Sequence, residues 1–485
     1  MVDFRIVSKI IGQLLLLESV LMLVCVIMAF CYGEDDQTAL LVSMVATAGG
    51  GLVCKYLGRN AGNNMNRRSA YLVVTATWIV FSFFGMLPLL VGGYITNVAD
   101  AYFETMSGFT TTGATVIDNV EALPHGILFW RSLTQWIGGL GIVFFTIAVL
   151  PSVVGGGLRV FAAESTGPLK TKMHPRLSMN AKWIWTIYIA LTVACALAFK
   201  LAGMDWFDCA NYSMSTTATG GFSTHNDSAA FFNSAAIDYV AIAFQFIAGM
   251  NFTLLYIAIF KGNVRKLIAN SEFRLYALVV TVATVWIMWL LIGHCGYGFE
   301  RALRSALFQV VSFITTTGLF NDNAAAWPHI TWVILSACMF LGACAGSTSG
   351  GFKCVRGVMA LKIMRNEFRR ILHPNAVLPI KMNGENVPQS HVPTLLTFFA
   401  FYMIMCLVAA TIMIAAGIDN TNAVTIALSC MSNVGPTLGT EIGPAMSWSM
   451  LPDHITWICS FLMLTGRLEI MSVLVLFTRS FWKDS

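Results

Sequence analysis

The chain has 485 residues, of which 57% are hydrophobic and 11% are charged, and its formal net charge is +5 at pH 7. Soluble domains carry about 25% charged residues, so this composition excludes a soluble protein and indicates a chain that crosses a membrane many times. The positive charge does not indicate a nucleic-acid partner, because most Lys and Arg residues fall in alternate loops between apolar segments. Such loops are cytoplasmic, so we expect both termini on the cytoplasmic side.

The first segment, residues 1–69, reads as a transmembrane hairpin. A helical span needs about 20 apolar residues, and residues 10–31 and 40–57 meet that requirement on either side of an acidic turn. Glu18 is the acidic residue within these two spans, and its position predicts that it can reach a membrane interface. Nothing in this hairpin resembles the pattern that follows, so we expect it to stand outside the repeat.

The remaining chain repeats one pattern of long helix, short helix, Thr/Gly-rich loop and long helix. Four such units are predicted, at residues 70–182, 183–273, 274–391 and 392–485. The short helices are predicted to begin near Asp100, Asp205, Gly298 and Asn420. They are too short to span a membrane and suit re-entrant segments, which are tolerated at membrane depth when protein or water surrounds them. The sequence therefore predicts an all-α membrane protein with four pseudo-repeats around a central pore.

The loops after the four short helices have related amino-acid sequences. Thr110-Thr111-Thr112-Gly113 and Thr315-Thr316-Thr317-Gly318 are nearly identical, the other two copies diverge, and the copies recur at intervals of roughly a hundred residues. A single copy would suit a simple turn between helices. Four copies predict a ring of backbone and hydroxyl oxygens, which replaces the hydration shell of an alkali cation. The predicted cation-binding residues are Thr111, Thr112, Gly113, Ala218, Thr219, Gly220, Thr316, Thr317, Gly318, Asn433, Val434 and Gly435.

The second long helix of the third unit is interrupted by a stretch of glycine and hydroxyl residues. That composition cannot hold a straight helix, so we expect a loop beneath the oxygen ring that acts either as a gate or as a plain hinge. The loop residues considered for gating are Gly342, Ala345, Gly346, Ser347, Thr348, Ser349, Gly350 and Gly351.

Arg467 is interpreted as the one cationic side chain inside a span, with Glu469 two residues further on. A charge within a membrane is costly and is therefore functional by default. If Arg467 faces the pore, it forms an electrostatic barrier to cations. It should then meet the loop of unit three, because both lie one helix half below the Thr/Gly-rich loops of adjacent units. If it faces protein, it belongs to a structural ion pair.

Taken together, these motifs resemble the TrkH/TrkG/KtrB family of potassium uptake proteins over the whole chain. The resemblance rests on residues 107–115, 135–141, 218–224, 313–318, 342–353 and 466–469. It implies that K⁺ binds at the residues named above, that the filter glycines are Gly113, Gly220, Gly318 and Gly435, and that the loop and Arg467 form the gate. Glycine at position 113 implies a preference for potassium over sodium.

The resemblance also implies the surroundings of the chain. These are a bacterial inner membrane, a homodimer with one pore in each subunit, and a cytosolic ring of TrkA-type regulatory subunits. A nucleotide, NAD or ATP, is expected in that partner and not in this chain, which needs no cofactor besides the transported K⁺. The basic loops at residues 170–182 and 362–381 are expected to contact the partner or membrane lipid.

The residues leave one alternative function open and give no support to a second. A symporter that couples potassium to protons or sodium stays open as the alternative, although four loops of one orientation argue against the inverted repeats of many such folds. An enzyme has no support, because no His, Asp and Glu residues are grouped at metal-binding spacing.

Overall fold

The computed structural model describes residues 2–62, 65–141, 177–376, 378–388, 391–439, 443 and 446–483. The predicted second span of the first unit beyond residue 141, and the basic loop at 170–182 up to residue 176, lie outside this description. Within the described ranges, six helices are long and apolar enough to cross a membrane, or up to eight if two sharply bent helix pairs each count as one span. A multi-pass membrane chain is therefore confirmed.

The N-terminal hairpin consists of α1 (Phe4–Tyr32) and α2 (Gln37–Leu57). Its turn is fixed to the first unit, because the Glu34 carboxylate accepts hydrogen bonds from the His125 backbone amide at 2.6 Å and from the His125 ring at 2.8 Å. The prediction that Glu18 reaches an interface is wrong. Its side chain is fully buried near the middle of α1, facing Gly85 of the next helix.

The first two units follow the predicted order. The helices of the first unit are α3 (Arg67–Gly85), α4 (Leu87–Val91), α5 (Val98–Phe109) and α6 (His125–Gly139). Those of the second are α7 (Leu177–Leu201), α8 (Trp206–Ala218), α9 (Ala235–Ala248), α10 (Phe252–Phe260) and α11 (Val264–Ala269).

The last two units repeat that order and add a small hairpin of strands. The third unit contains α12 (Ser271–Cys295), α13 (Phe299–Ile314), α14 (His329–Leu341), α15 (Cys354–Leu372) and the antiparallel strands β1 (Lys381–Met382) and β2 (Glu385–Asn386). The fourth contains α16 (His391–Ala415), α17 (Asn420–Ser432), α18 (Asp453–Arg467) and α19 (Ile470–Leu474), and α20 (Arg479–Trp482) follows.

The short helices α5, α8, α13 and α17, hereafter the pore helices, start within about two residues of their predicted positions. Asp205 caps α8 as an N-cap residue should, accepting a hydrogen bond from the Phe207 amide at 3.0 Å. In α5 and α17 the cap residues are Asn97 and Asp419. Side-chain oxygens at these three positions satisfy amides that the first helical turn leaves without a partner.

The prediction of continuous second long helices is wrong in units two and four, whereas the break predicted in unit three is present. The chain bends by 102° between α9 and α10 and by 113° between α18 and α19, and α14 is separated from α15 by residues 342–353. In the first unit α6 ends at Gly139. The break that the sequence indicates in unit three alone is therefore shared by other units.

Packing closes the four units into a ring. The second helix of each unit lies against the pore helix of the next: α6 against α8, α9 against α13, α14 against α17, and α18 against α5. The buried apolar residues form two clusters, one mainly around the N-terminal hairpin and units one and four, the other mainly in units two and three. All four pore helices are thereby held with their C-terminal ends at one centre.

Candidate ion pathway

The four Thr/Gly-rich loops, hereafter the filter loops, share one backbone conformation directly after the pore helices. Thr111, Thr219, Thr316 and Asn433 all adopt a left-handed conformation, with φ between 54° and 58°. In each loop the next residue donates its amide to a serine carbonyl one turn back in the pore helix: Thr112 to Ser107, Gly220 to Ser215, Thr317 to Ser312 and Val434 to Ser429. The repeats are therefore equivalent residue by residue at this point.

A glycine with positive φ follows in every loop. These glycines are Gly113, Gly221, Gly318 and Gly435, with φ of 83°, 88°, 81° and 97°, and we call them the glycine ring. A Cβ on each would overlap a carbonyl oxygen of the neighbouring unit: Gly220 O, Thr317 O, Val434 O and Thr112 O, in that order. Since the order runs from unit to unit and returns to the first, the four loops form one closed ring that only glycine fits.

The sequence-based equivalence of Gly220 with the other three glycines is wrong by one residue. Gly221 occupies the ring position, and Gly220 corresponds to Thr112, Thr317 and Val434, whose carbonyls line the ring. Ala218 ends the pore helix α8, before the loop. Two adjacent glycines satisfy the same sequence pattern, so only the backbone conformation distinguishes them.

The fourth loop is regular in structure although its sequence diverges. Asn433 takes the left-handed conformation that threonine takes in the other loops, and asparagine tolerates this conformation better than most residues. Its side-chain amide donates to Thr112 Oγ1 at 3.0 Å and to the Met463 carbonyl at 2.9 Å. Asn433 therefore joins the fourth loop to the first and to the helix behind it.

The four ring glycines line one cavity, the mouth cavity, together with residues that follow each loop. Asp118 lies in this cavity and accepts hydrogen bonds from the hydroxyls of Ser447 and Ser449. These two hydrogen bonds hold the pKa of Asp118 below its usual range. The mouth therefore keeps a carboxylate charge next to the ring at neutral and mildly acidic pH.

A buried ion pair supports the ring from behind. Arg131 of α6 and Glu104 of α5 are both almost fully buried, and Arg131 Nε lies 2.9 Å from Glu104 Oε1. Glu104 accepts the Val116 amide at 3.0 Å, and Arg131 donates to the Ser223 carbonyl at 3.3 Å. The pair thus joins the chain that leaves the first loop to the chain that leaves the second.

The interpretation of Arg467 as the one cation inside a span is wrong. Arg131, Lys353 and Arg356 are also buried, and Arg131 lies within the predicted second span of unit one. Arg131 and its partner Glu104 sit on different predicted helices, so no local spacing in the sequence signals the pair.

The loop of unit three at residues 342–351, hereafter the intramembrane loop, lies against the start of the filter loops. The Gly350 amide donates to Thr316 Oγ1 at 2.7 Å, and a Cβ on Gly350 would overlap the Ser432 carbonyl. The mouth cavity contacts the ends of the same filter loops. The intramembrane loop and the mouth cavity are therefore on opposite sides of the ring.

Arg467 meets the intramembrane loop, as predicted from their positions in adjacent units. Its guanidinium donates to the carbonyls of Thr348 at 2.9 Å, Gly138 at 2.6 Å and Gly139 at 2.6 Å. Glu469 points elsewhere and forms an ion pair with Arg356 at 2.5 Å. Arg467 thus joins the intramembrane loop to the end of α6, across the space beneath the ring.

Glycines in the second helices of units one and four pack closely against the pore helices. A Cβ on Gly138 would overlap the Phe109 carbonyl, and one on Gly466 would overlap the Met431 carbonyl. Both carbonyls belong to the last turn of a pore helix. These two glycines therefore allow the second helices to pack closely against the pore helices.

The comparisons with known proteins agree with this architecture. Residues 41–484 match the family model of TrkH, described as a cation transport protein. The chain is 38% identical over 487 residues to the Trk system potassium uptake protein TrkH of Vibrio parahaemolyticus and 33% identical over 488 residues to TrkG of Escherichia coli, covering 99% of this chain and 100% and 99% of those proteins.

A solved structure gives the same result for the fold. The crystal structure of the potassium transporter TrkH from Vibrio parahaemolyticus superposes with a TM-score of 0.89 at 36% identity, covering 99% of this chain and 100% of that one. The match extends over the N-terminal hairpin and all four units. The chain therefore belongs to the TrkH family of cation transport proteins, which are transporters and not enzymes.

Proposed function

We propose that this chain carries potassium into a bacterial cell across the inner membrane, through a filter made by its four loops. The observation that carries the proposal is the closed ring, in which each of four glycines packs against a carbonyl of the next unit. Such a ring brings backbone oxygens of all four units to one place, where they replace the water shell of a cation. The relatives at 33–38% identity are named potassium uptake proteins.

The proposed K⁺ site takes one short segment from each unit. The segments are Thr111-Thr112-Gly113, Thr219-Gly220-Gly221, Thr316-Thr317-Gly318 and Asn433-Val434-Gly435. The C-terminal ends of the pore helices point at this site, and their partial negative charge favours a cation there and disfavours an anion. The Asp118 carboxylate in the mouth cavity raises the local cation concentration at its entrance.

We propose that the intramembrane loop and Arg467 together form the gate beneath the filter. The loop residues from Gly342 through Gly351 would block the path sterically, and the Arg467 guanidinium would repel a cation in a medium of low dielectric. Contact of Gly350 with Thr316 and of Arg467 with Thr348 supports a shared gate. In this proposal, the contacts of Gly350 with Thr316 and of Arg467 with Thr348 belong to the closed state.

A cytosolic regulatory subunit of the TrkA type is the proposed controller of this gate. Exposed basic residues near the end of α15, Arg365, Arg369 and Arg370, support a docking surface for a soluble partner or for anionic lipid. The name Trk system, carried by the relatives, supports a multi-component assembly. In this proposal the chain forms a homodimer, has both termini in the cytoplasm, and leaves NAD or ATP binding to the partner.

Flux through purified protein in liposomes tests the transport proposal. Rubidium uptake should occur down its gradient, should be inhibited strongly by potassium and weakly by sodium, and should not change when a proton gradient is imposed. Liposomes without protein provide the reference for leak. Uptake that requires the proton or sodium gradient would establish the coupled symporter instead, and equal inhibition by sodium and potassium would contradict the filter.

The gate proposal needs a separate measurement. Deletion of residues 347–349 should remove the steric barrier, Arg467→Ala should remove the electrostatic one, and each should raise basal flux in the absence of any partner. Because the two groups are in contact, the effect of the double variant should be smaller than the sum of the two. If both single variants fold and show the parent's basal flux, the loop is a hinge and Arg467 a structural residue.

A further inference from the structure

One buried carboxylate contacts both sides of the intramembrane loop. Glu272 lies in the first turn of α12 and is 6% exposed. Its Oε1 accepts hydrogen bonds from the Ala345 amide at 2.6 Å and from the Val355 amide at 3.0 Å. Ala345 lies within the loop, and Val355 lies in the first turn of α15 that follows it. A single side chain therefore fixes the loop to the helix behind it.

The carbonyls of Ala345 and Gly346 accept hydrogen bonds from neutral groups of unit two. The Asn251 side chain donates to the Ala345 carbonyl at 2.6 Å, and the Phe252 amide donates to the Gly346 carbonyl at 3.0 Å. Hydrogen bonds to an ionised acceptor are about twice as strong as bonds between neutral groups. The carboxylate also lies in the first turn of α12 and at the start of α15, where the helix dipole stabilises negative charge.

The residue before Glu272 connects the same helix start to the cytoplasmic strand hairpin β1–β2. The backbone amide and the hydroxyl of Ser271 both donate to Asn383 Oδ1 at 2.9 Å. Asn383 lies in the turn between the strands and has a positive φ of 51°. On its other side the hairpin is joined to α15, because Lys362 Nζ donates to the Lys381 carbonyl at 2.6 Å.

We infer that Glu272 is the positioning residue that holds the intramembrane loop beneath the filter, and that the β1–β2 hairpin is the surface element through which a cytoplasmic partner releases it. The inference rests on the proposed function. A displacement of the hairpin moves Ser271 and the start of α12, and the neighbouring Glu272 carboxylate then leaves the Ala345 and Val355 amides. The loop then loses its contact with the Glu272 carboxylate and can leave the pore more easily.

The test is hydrogen exchange of the backbone amides at residues 343–356 in the full-length protein, measured beside basal rubidium flux. Glu272→Gln keeps the shape of the side chain and removes its charge. We expect exchange of this segment and basal flux each to rise about tenfold, because two hydrogen bonds to a charged oxygen become weaker bonds to a neutral amide oxygen. Glu367→Gln makes the same chemical change on the exposed surface of α15 and should change neither quantity.

The two readouts separate this inference from the proposed gate. Unchanged exchange in Glu272→Gln would overturn the positioning role. Faster exchange with flux at the parent's level, in this variant and in the 347–349 deletion alike, would support the positioning role and contradict the gate. If Glu272→Gln does not fold, Glu272→Asp, which keeps the charge and withdraws the oxygens by one methylene, should change exchange in the same direction.

The hairpin is tested by Asn383→Gly, which preserves the left-handed turn and removes the side-chain acceptor. We expect exchange at residues 343–356 to rise about threefold, since a neutral hydrogen-bond acceptor is lost. In the double variant with Glu272→Gln, exchange should not exceed that of Glu272→Gln alone, because both act on one connection. Glu385→Gln, on β2, is the control. Exchange at the parent's rate in Asn383→Gly would overturn the role of the hairpin.

Discussion

If the intramembrane loop and Arg467 form the gate, replacement of Arg467 by alanine should open the pore in the absence of any partner. The guanidinium makes three hydrogen bonds to backbone carbonyls, and the one to Thr348, at 2.9 Å, joins it to the intramembrane loop. The bonds to Gly138 and Gly139 hold the guanidinium to α6. Of these three hydrogen bonds, the one to Thr348 must break when the loop moves, so it gives the expected size of the effect.

The magnitude follows from that single contact. A hydrogen bond to a charged group contributes about 1.5–3 kcal/mol, and each 1.4 kcal/mol is a factor of ten in an equilibrium constant. Loss of the Thr348 contact should therefore raise the open fraction, and with it the basal flux, by about one to two powers of ten. Removal of the positive charge lowers the barrier for a cation further, so we expect the upper part of that range.

The assay is rubidium uptake into liposomes that contain equal amounts of folded protein. Arg467→Lys should give a smaller increase than Arg467→Ala, because lysine keeps the charge but cannot reach three carbonyls in a planar arrangement. Arg265→Ala removes the same charge from an exposed site on α11 and should leave basal flux unchanged. Basal flux in folded Arg467→Ala within twofold of the parent would refute the reasoning.

Two further predictions concern the surroundings of the filter. Arg131→Gln leaves the Glu104 carboxylate buried without its ion pair, and breaking such a pair costs about 3–5 kcal/mol. We expect a lower Tm and stronger inhibition of rubidium uptake by sodium, whereas a Tm and a sodium inhibition equal to the parent's would contradict this role. Burial lowers the pKa of His225, but its hydrogen bonds to Asp208 and Glu121 outweigh burial and raise that pKa above its usual value. The stabilisation by protonated His225 is therefore present at acidic pH and is lost as the pH rises through the raised pKa, so the Tm difference between the parent and His225→Gln should shrink over that interval.

The architecture could be predicted from the sequence because the same order of segments occurs in it four times. Apolar segments of spanning length, short segments between them and the recurring Thr/Gly strings were enough to place the pore helices and the filter loops. The contact of Arg467 with the intramembrane loop also followed, since both lie at the same distance past the filters of adjacent units. These predictions depend on composition and order along the chain, which a single sequence contains.

Other features depend on conformation or on distant partners, and the sequence could not supply them. The breaks after Ala248 and Arg467 occupy only a few residues within apolar segments, so hydropathy does not detect them. Gly221 belongs to the ring because its φ is positive. The sequence alone does not show which of the two adjacent glycines, Gly220 or Gly221, has that conformation. Glu272 lies 73 residues before the Ala345 amide that it binds, so no local pattern joins them.

The glycine ring is the central claim, and sodium competition of rubidium uptake tests it most directly. Serine would be placed at Gly113, at Gly221 and at Gly296, which also has a positive φ of 68° but has open space around it. We predict that Gly113→Ser and Gly221→Ser both lose discrimination against sodium, while Gly296→Ser keeps that of the parent. If folded, transporting Gly221→Ser protein retained the parent's discrimination, the second unit would not contribute Gly221 to the filter and the closed ring would be contradicted.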